Sequence, residues 1–192
     1  MSNRTEEIQK HTTDMLAAER HILEAVQRQR GDSDLQKHPE ALRLVQRIEG
    51  TLDTHVKALE GLAEGYGGES QSAVKKAVTE ALGAAAGLYD KMRSQKVSRM
   101  LRDDYTSLSL AAMGYTTYHT FGLAVGEERI ASLALMHLKD LTPLLVDISK
   151  VLPVVTAAEL SQENDFPVDV STAQQAVSNT QQAWSTEVTE ST

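Results

Sequence analysis

Hydrophobic positions recur every three or four residues along most of the first 150 positions, which is the spacing of one face of an α-helix. This pattern predicts four long amphipathic helices. They span about Thr5 to Arg30, Pro39 to Glu64, Gln95 to Gly122 and Glu127 to Leu152. The turn formers "GDSD" and a proline separate the first two helices, and "GYGGES" follows the second.

Two further segments have a different composition. Ala73 to Met92 is rich in alanine and weakly amphipathic, so we expect a helical crossover between two helix pairs. Residues 154–192 are rich in Ser, Thr, Gln and Glu, which predicts a mostly flexible polar tail. Within this tail, Val177 and Trp184 are the side chains suited to docking on the body or on a neighbour. The predicted fold is therefore all-α: a four-helix bundle over residues 5–153, followed by the tail.

Charge and composition exclude several classes of function. The formal net charge is −8 and no face carries a cluster of lysine and arginine, so we expect no nucleic-acid partner. The sequence has no cysteine, which excludes disulfides and thiolate chemistry. The N-terminus lacks an apolar signal region, and no run of about 18 apolar residues predicts a membrane span. We therefore expect a cytoplasmic protein.

Ionisable side chains interrupt the apolar stripe of every predicted helix. Each lies three or four residues from an apolar neighbour of the same stripe, and therefore on the face expected to be buried. The residues are Glu19, His55, Asp104, His137 and Asp140.

Burying charged groups is costly unless they pair with one another or bind a metal. Carboxylates and imidazoles are ligands for iron, manganese and zinc. The spacing adds to the pattern, because Leu52 follows Glu19 by 33 positions and His137 follows Asp104 by the same number. We therefore expect two helix hairpins of equal length, with the ionisable residues in one layer.

With this layer, and with stretches such as "LAAERHILEAV" and "MLRDDYTSLSLAAMGYTT", residues 5–153 resemble the ferritin-like superfamily, and most closely its bacterial YciE/YciF-type proteins. In that superfamily, one Glu on each of two helices joins a Glu-x-x-His pair on each of the other two, around two metals. By this resemblance Glu19 and His55 occupy ligand positions, and Asp104 stands where a longer Glu is usual.

The sequence departs from the superfamily's pattern at the bridging ligands. Leu52 and His137 stand where bridging glutamates are expected, and Asp140 stands where a histidine is usual. The resemblance then implies a degenerate centre, with one metal held by His55, His137 and one or two carboxylates, or with no metal at all.

Two functions follow from these observations. The resemblance implies a non-classical ferritin-like protein of bacterial stress physiology, a homodimer, whose chemistry would be linked to oxygen or peroxide; whether it is an enzyme stays open. The alternative is a structural or interaction protein in which the ionisable layer is a buried salt-bridge network, Glu19 with His55 and Asp104 with His137. In that case the tail around Trp184 would attach a protein partner.

Overall fold

The computed structural model describes residues 3–66, 96–163 and 167–185. These residues are all-α and form five helices packed antiparallel. The helices are α1 (Asn3–Gln29), α2 (Pro39–Gly65), α3 (Val97–Ala124), α4 (Glu128–Glu163) and α5 (Thr172–Trp184), and a short 3-10 turn (Leu35–Lys37) precedes α2. The all-α prediction is confirmed, and the predicted crossover over residues 73–92 lies outside the described residues.

Local chemistry determines where the first hairpin turns. Asp32 Oδ1 accepts hydrogen bonds from the backbone N–H groups of Asp34, at 2.7 Å, and Leu35, at 3.3 Å. These bonds close the loop after α1. Pro39 is then the first residue of α2, where a missing N–H costs no helical hydrogen bond.

Two glycines, one near the end of α3 and one in the loop that follows it, allow the second hairpin to close. Gly126 has a φ of 70°, which a residue with a side chain adopts only at a cost. At Gly122, an added Cβ would lie 2.6 Å from the backbone nitrogen of Ala131. The backbones of α3 and α4 therefore approach more closely here than any larger residue would permit.

Side-chain pairs give the direction of α3 relative to α1. Thr12 is hydrogen-bonded to Tyr118 at 2.5 Å, and Gln29 donates to Asp104 at 2.7 Å. Residue numbers therefore rise along α1 while they fall along α3, so these two helices are antiparallel.

The same reasoning applies to α2 and α4. Arg47 pairs with Asp147 at 2.7 Å, and His55 contacts Asp140 at 3.3 Å, so these helices are antiparallel too. Because α2 and α3 both run against α1, α2 ends at one end of the bundle and α3 begins at the other.

Helix α4 extends further than the sequence pattern indicated. It continues to Glu163, so the domain boundary predicted after residue 153 falls inside it. Pro143 and Pro153 both lie within the helix, as expected for Pro143. Beyond it, α5 packs against α4, with Ala173 buried and Gln181 donating to Ser149 at 2.8 Å.

The tryptophan that the sequence analysis singled out in the tail lies against the body of the protein. The ring of Trp184 has its centroid 5.8 Å from that of Tyr105 on α3, although about half of Trp184 stays exposed.

A buried carboxylate of α4 caps the start of α3. Glu159 accepts hydrogen bonds from the backbone N–H of Ser98, at 3.1 Å, and from the Ser98 hydroxyl, at 2.5 Å. The first N–H groups of a helix have no partner within the helix, and a carboxylate there also interacts favourably with the helix dipole. This contact therefore fixes the second hairpin at its open end.

Among the described residues, one helix is long and apolar enough to cross a membrane by length and composition alone, and this helix is α4. One third of its apolar stretch is buried inside the protein. Core helices of bundles also meet this criterion, so the absence of a membrane span stays a prediction.

Candidate metal centre

Three of the five predicted residues meet in the middle of the bundle. Glu19 of α1, His55 of α2 and His137 of α4 each offer a ligand atom, and these atoms all lie within 4.8 Å of one another. Their side chains are at most 1% exposed. We refer to Glu19, His55 and His137 below as the triad.

The first hairpin brings Glu19 and His55 to the same level, although 36 positions separate them in the chain. Nδ1 of His55 lies 3.0 Å from Oε1 of Glu19. The third member arrives from α4, where the ring of His137 stacks on that of His55 with a centroid separation of 3.7 Å and an interplanar angle of 4°.

Each imidazole is also held on its other side by a residue outside the triad. The Tyr115 hydroxyl lies 2.8 Å from Nδ1 of His137. Oδ2 of Asp140 lies 3.3 Å from Nε2 of His55. When these outer nitrogens carry the hydrogens, the inner nitrogens, Nε2 of His137 and Nδ1 of His55, are left as acceptors or ligands.

Two atoms of the triad have no hydrogen-bond partner among the described residues. They are Oε2 of Glu19 and Nε2 of His137, and both are buried. Buried polar atoms are nearly always paired, because leaving one unpaired costs about 1–3 kcal/mol. A cation held between the side chains could give these two atoms a partner.

The electrostatics suit a metal ligand at His137. Burial, and secondarily the neighbouring His55, lowers the pKa of His137 to about 3, so its imidazole is neutral near pH 7. A neutral imidazole is the form that binds metals. Burial, followed by the negative charge of Glu19 and a hydrogen bond with its carboxylate, raises the pKa of Tyr115 far above its usual value, so the phenol keeps its hydrogen.

The structure places Asp104 apart from the triad. Asp104 accepts a hydrogen bond from Gln29 at 2.7 Å, and its other oxygen, Oδ2, has no hydrogen-bond partner among the described residues. Burial raises the pKa of this carboxyl to about 7. Asp104 lies 11 positions before Tyr115 on α3, which is about 16 Å along the helix axis.

Asp140 and Leu52 lie next to the triad without belonging to it. The side chain of Asp140 is 52% exposed and lies 3.3 Å from the outer nitrogen of His55. Leu52, at the expected bridging position, is fully buried in the apolar core and offers no ligand atom.

The sequence analysis did not place Tyr115 among the candidate site residues. The polar hydroxyl was the available signal, because a buried tyrosine usually finds a hydrogen-bond partner. The two hairpins also differ from the expected equal lengths. Glu19 and His55 are 36 positions apart, whereas Tyr115 and His137, at the same level in the second hairpin, are 22 apart.

The arrangement can hold one cation between two imidazole nitrogens and one carboxylate, the donor set expected for iron, manganese or zinc. Comparison of the chain with protein-family models, curated proteins and solved structures finds no match.

Proposed function

We propose that this protein is a metal-binding helical bundle that holds one divalent transition metal with Glu19, His55 and His137. The observation that carries the proposal is the pair of buried, unpartnered atoms, Oε2 of Glu19 and Nε2 of His137, within a cluster of ligand atoms. A cation between them would give both atoms a partner.

The charge balance supports the same ligand. The triad brings the carboxylate of Glu19 into the apolar core, and the half-exposed carboxylate of Asp140 lies at its edge. An uncompensated buried charge is strongly destabilising, whereas a divalent cation would neutralise the Glu19 carboxylate.

The donor set favours iron, manganese or zinc over calcium and magnesium, which prefer oxygen ligands. Two histidines and one carboxylate leave open coordination positions, so a metal bound there would supply Lewis-acid chemistry or, as iron or manganese, redox chemistry with oxygen or peroxide.

We extend the proposal to a non-classical ferritin-like protein, linked to stress physiology, cytoplasmic and homodimeric. Support comes from the helix directions, since α2 ends and α3 begins at opposite ends of the bundle, and ferritin-like folds have one long crossover at that point. One metal rather than two is proposed because Leu52 cannot bridge and Asp104 lies about 16 Å along the α3 axis from Tyr115, the residue that contacts His137.

One observation favours a second candidate, a metal-free salt-bridge network in a structural protein. Both ring nitrogens of His55 lie within 3.3 Å of a carboxylate, so an imidazolium would donate to Glu19 and Asp140 at once. This network leaves Oε2 of Glu19 and Nε2 of His137 without partners among the described residues, and for that reason we rank it second.

Elemental analysis of untagged protein decides between them. The protein is purified without chelator, reconstituted anaerobically with iron, manganese or zinc, and desalted. We expect one metal per chain in the wild type and none in His137→Ala. His11→Ala is the control, since His11 packs against Phe121 and is not in the triad, and it should keep the metal.

Circular dichroism establishes that His137→Ala is folded. Two metals per chain would contradict the single-site proposal. No metal under any condition in the wild type would leave the salt-bridge network as the function of these residues.

A further inference from the structure

The triad is sealed from water, so a cation needs a route to it. All three side chains are at most 1% exposed. Among the described residues in hydrogen-bonding contact with the triad, Asp140 alone is substantially solvent-exposed, since the other, Tyr115, is fully buried. Asp140 is therefore the described residue that connects solvent with a side chain of the triad.

Asp140 is badly placed to be a permanent ligand of the same ion. Glu19 contacts Nδ1 of His55, whereas Asp140 contacts Nε2 on the opposite edge of the ring. The two nitrogens of an imidazole direct their lone pairs or hydrogens away from each other. A cation between His55 Nδ1 and Glu19 is therefore separated from Asp140 by the ring.

The helix around Asp140 is weakened on the next turn. Pro143 has no backbone N–H, so the carbonyl of Lys139, four residues earlier, loses its helical hydrogen bond. Pro143 is itself exposed. Asp140 therefore lies beside a carbonyl oxygen that the helix does not use, and hard or borderline cations accept such oxygen ligands while they lose water.

From this geometry we propose that Asp140 is the entry residue for the divalent cation, which it captures from solvent and delivers past His55 to the triad. The proposal rests on the metal-binding function proposed above. It assigns Asp140 a role in the rate of loading, whereas Glu19, His55 and His137 determine whether the metal stays.

Stopped-flow loading with Co²⁺, followed by its visible absorption, tests the proposal on the full chain. Asp140→Asn should lower the association rate constant by about tenfold or more, because a carboxylate at an entrance raises the local cation concentration. The variant should still bind one Co²⁺ per chain. Asp140→Glu, which keeps the carboxylate, should restore most of the rate.

Asp147→Asn is the matched control. Asp147 lies two turns further along α4, is one-third exposed and also faces α2, where it pairs with Arg47. We expect this variant to load at the wild-type rate. Raising the ionic strength should slow loading of the wild type more than loading of Asp140→Asn, because salt screens the exposed charge.

Each of the following results would overturn the proposal. An equal slowing in Asp147→Asn would indicate a general surface-charge effect. A faster dissociation with an unchanged association rate would mean that Asp140 only orients His55. Wild-type protein that binds no Co²⁺, iron, manganese or zinc would refute the metal site itself. Wild-type protein that binds metal normally, with a loading rate that does not depend on Asp140, would refute only the entry role.

Discussion

The hydroxyl of Tyr115 lies 2.8 Å from Nδ1 of His137, and the other nitrogen of that ring, Nε2, is buried without a hydrogen-bond partner among the described residues. This contact determines which nitrogen of His137 is available. Because a phenol oxygen can accept the hydrogen of Nδ1, Nε2 is left with its lone pair directed towards the triad. Tyr115 thus positions a ligand without being one.

Tyr115→Phe tests this role. The substitution keeps the ring, which meets the His137 ring edge-on with the centroids 5.0 Å apart, and removes the hydroxyl alone. We expect metal affinity to fall by about 10–100-fold with the stoichiometry unchanged, as for other residues that orient a metal-bound histidine. Competition with a chelator of known affinity measures the change.

Tyr118→Phe is the matched control for that experiment. Tyr118 is equally buried, on the same helix, and its hydroxyl bonds to Thr12 rather than to the triad. Its loss should reduce stability by about 1 kcal/mol and leave the affinity unchanged. Equal affinity losses in both variants would show that general loosening of the core, and not the orientation of His137, is responsible.

The raised pKa of Asp104 predicts that the stability of the protein depends on pH. Its pKa is raised to about 7 by burial, from an unfolded value near 3.8, so between these pH values the folded state binds more protons than the unfolded state. Stability therefore falls as pH rises from about 4 to 7 and levels off above it.

Asp104→Asn should remove this slope, because asparagine stays neutral and can still accept the hydrogen bond from Gln29. We expect the two proteins to be similar near pH 4 and the variant to be more stable by a few kcal/mol above pH 7. Urea unfolding in a pH series measures both curves. Parallel curves would show that Asp104 is ionised in the folded protein across this range.

Gly122 should be the least replaceable residue of the second hairpin. In Gly122→Ala the new Cβ would meet the Ala131 backbone at 2.6 Å, so α3 and α4 would have to separate. We expect a loss of about 1–3 kcal/mol of stability, the usual cost of overpacking. The separation of α3 from α4 should also lower metal occupancy, because this hairpin holds Tyr115 and His137 next to each other.

Gly50→Ala provides the opposite expectation with the same chemistry. Gly50 lies inside α2 and its added Cβ would have no atom within 4 Å, so only helix propensity changes. The variant should be more stable by about 0.5–1 kcal/mol. Chemical denaturation of both variants gives the comparison, and a destabilised Gly50→Ala would mean that α2 packs against something at this face.

Glu159 should stabilise the start of α3. In Glu159→Ala the backbone N–H and hydroxyl of Ser98 lose their acceptor, and we expect the free energy of unfolding to drop by about 1–2 kcal/mol. Glu159→Gln keeps an acceptor oxygen and should recover part of the loss. Thermal unfolding of the three proteins measures the order, and an unaltered Glu159→Ala would mean that water replaces the carboxylate.

The hydrophobic periodicity of the sequence was enough to predict most of the candidate site. The apolar stripes alone placed Glu19, His55 and His137 on buried faces, because the face to which a helical side chain belongs depends only on the 3.6-residue repeat. The same local information predicted α1 to α4 and the loop that precedes Pro39, but not α5, which lies in the segment expected to be a flexible tail.

Tertiary structure decided which residues of neighbouring helices face one another across the bundle. Asp104 lies on the buried face as predicted, yet the hairpin pairs Tyr115 with His137 and leaves Asp104 beside Gln29. That register depends on where the chain turns, at Gly126, and on how closely Gly122 lets α3 approach Ala131. Sliding one helix along another changes which residues are in contact, but it does not change which face of each helix is buried. The hydrophobic periodicity of a single helix therefore contains no information about this register.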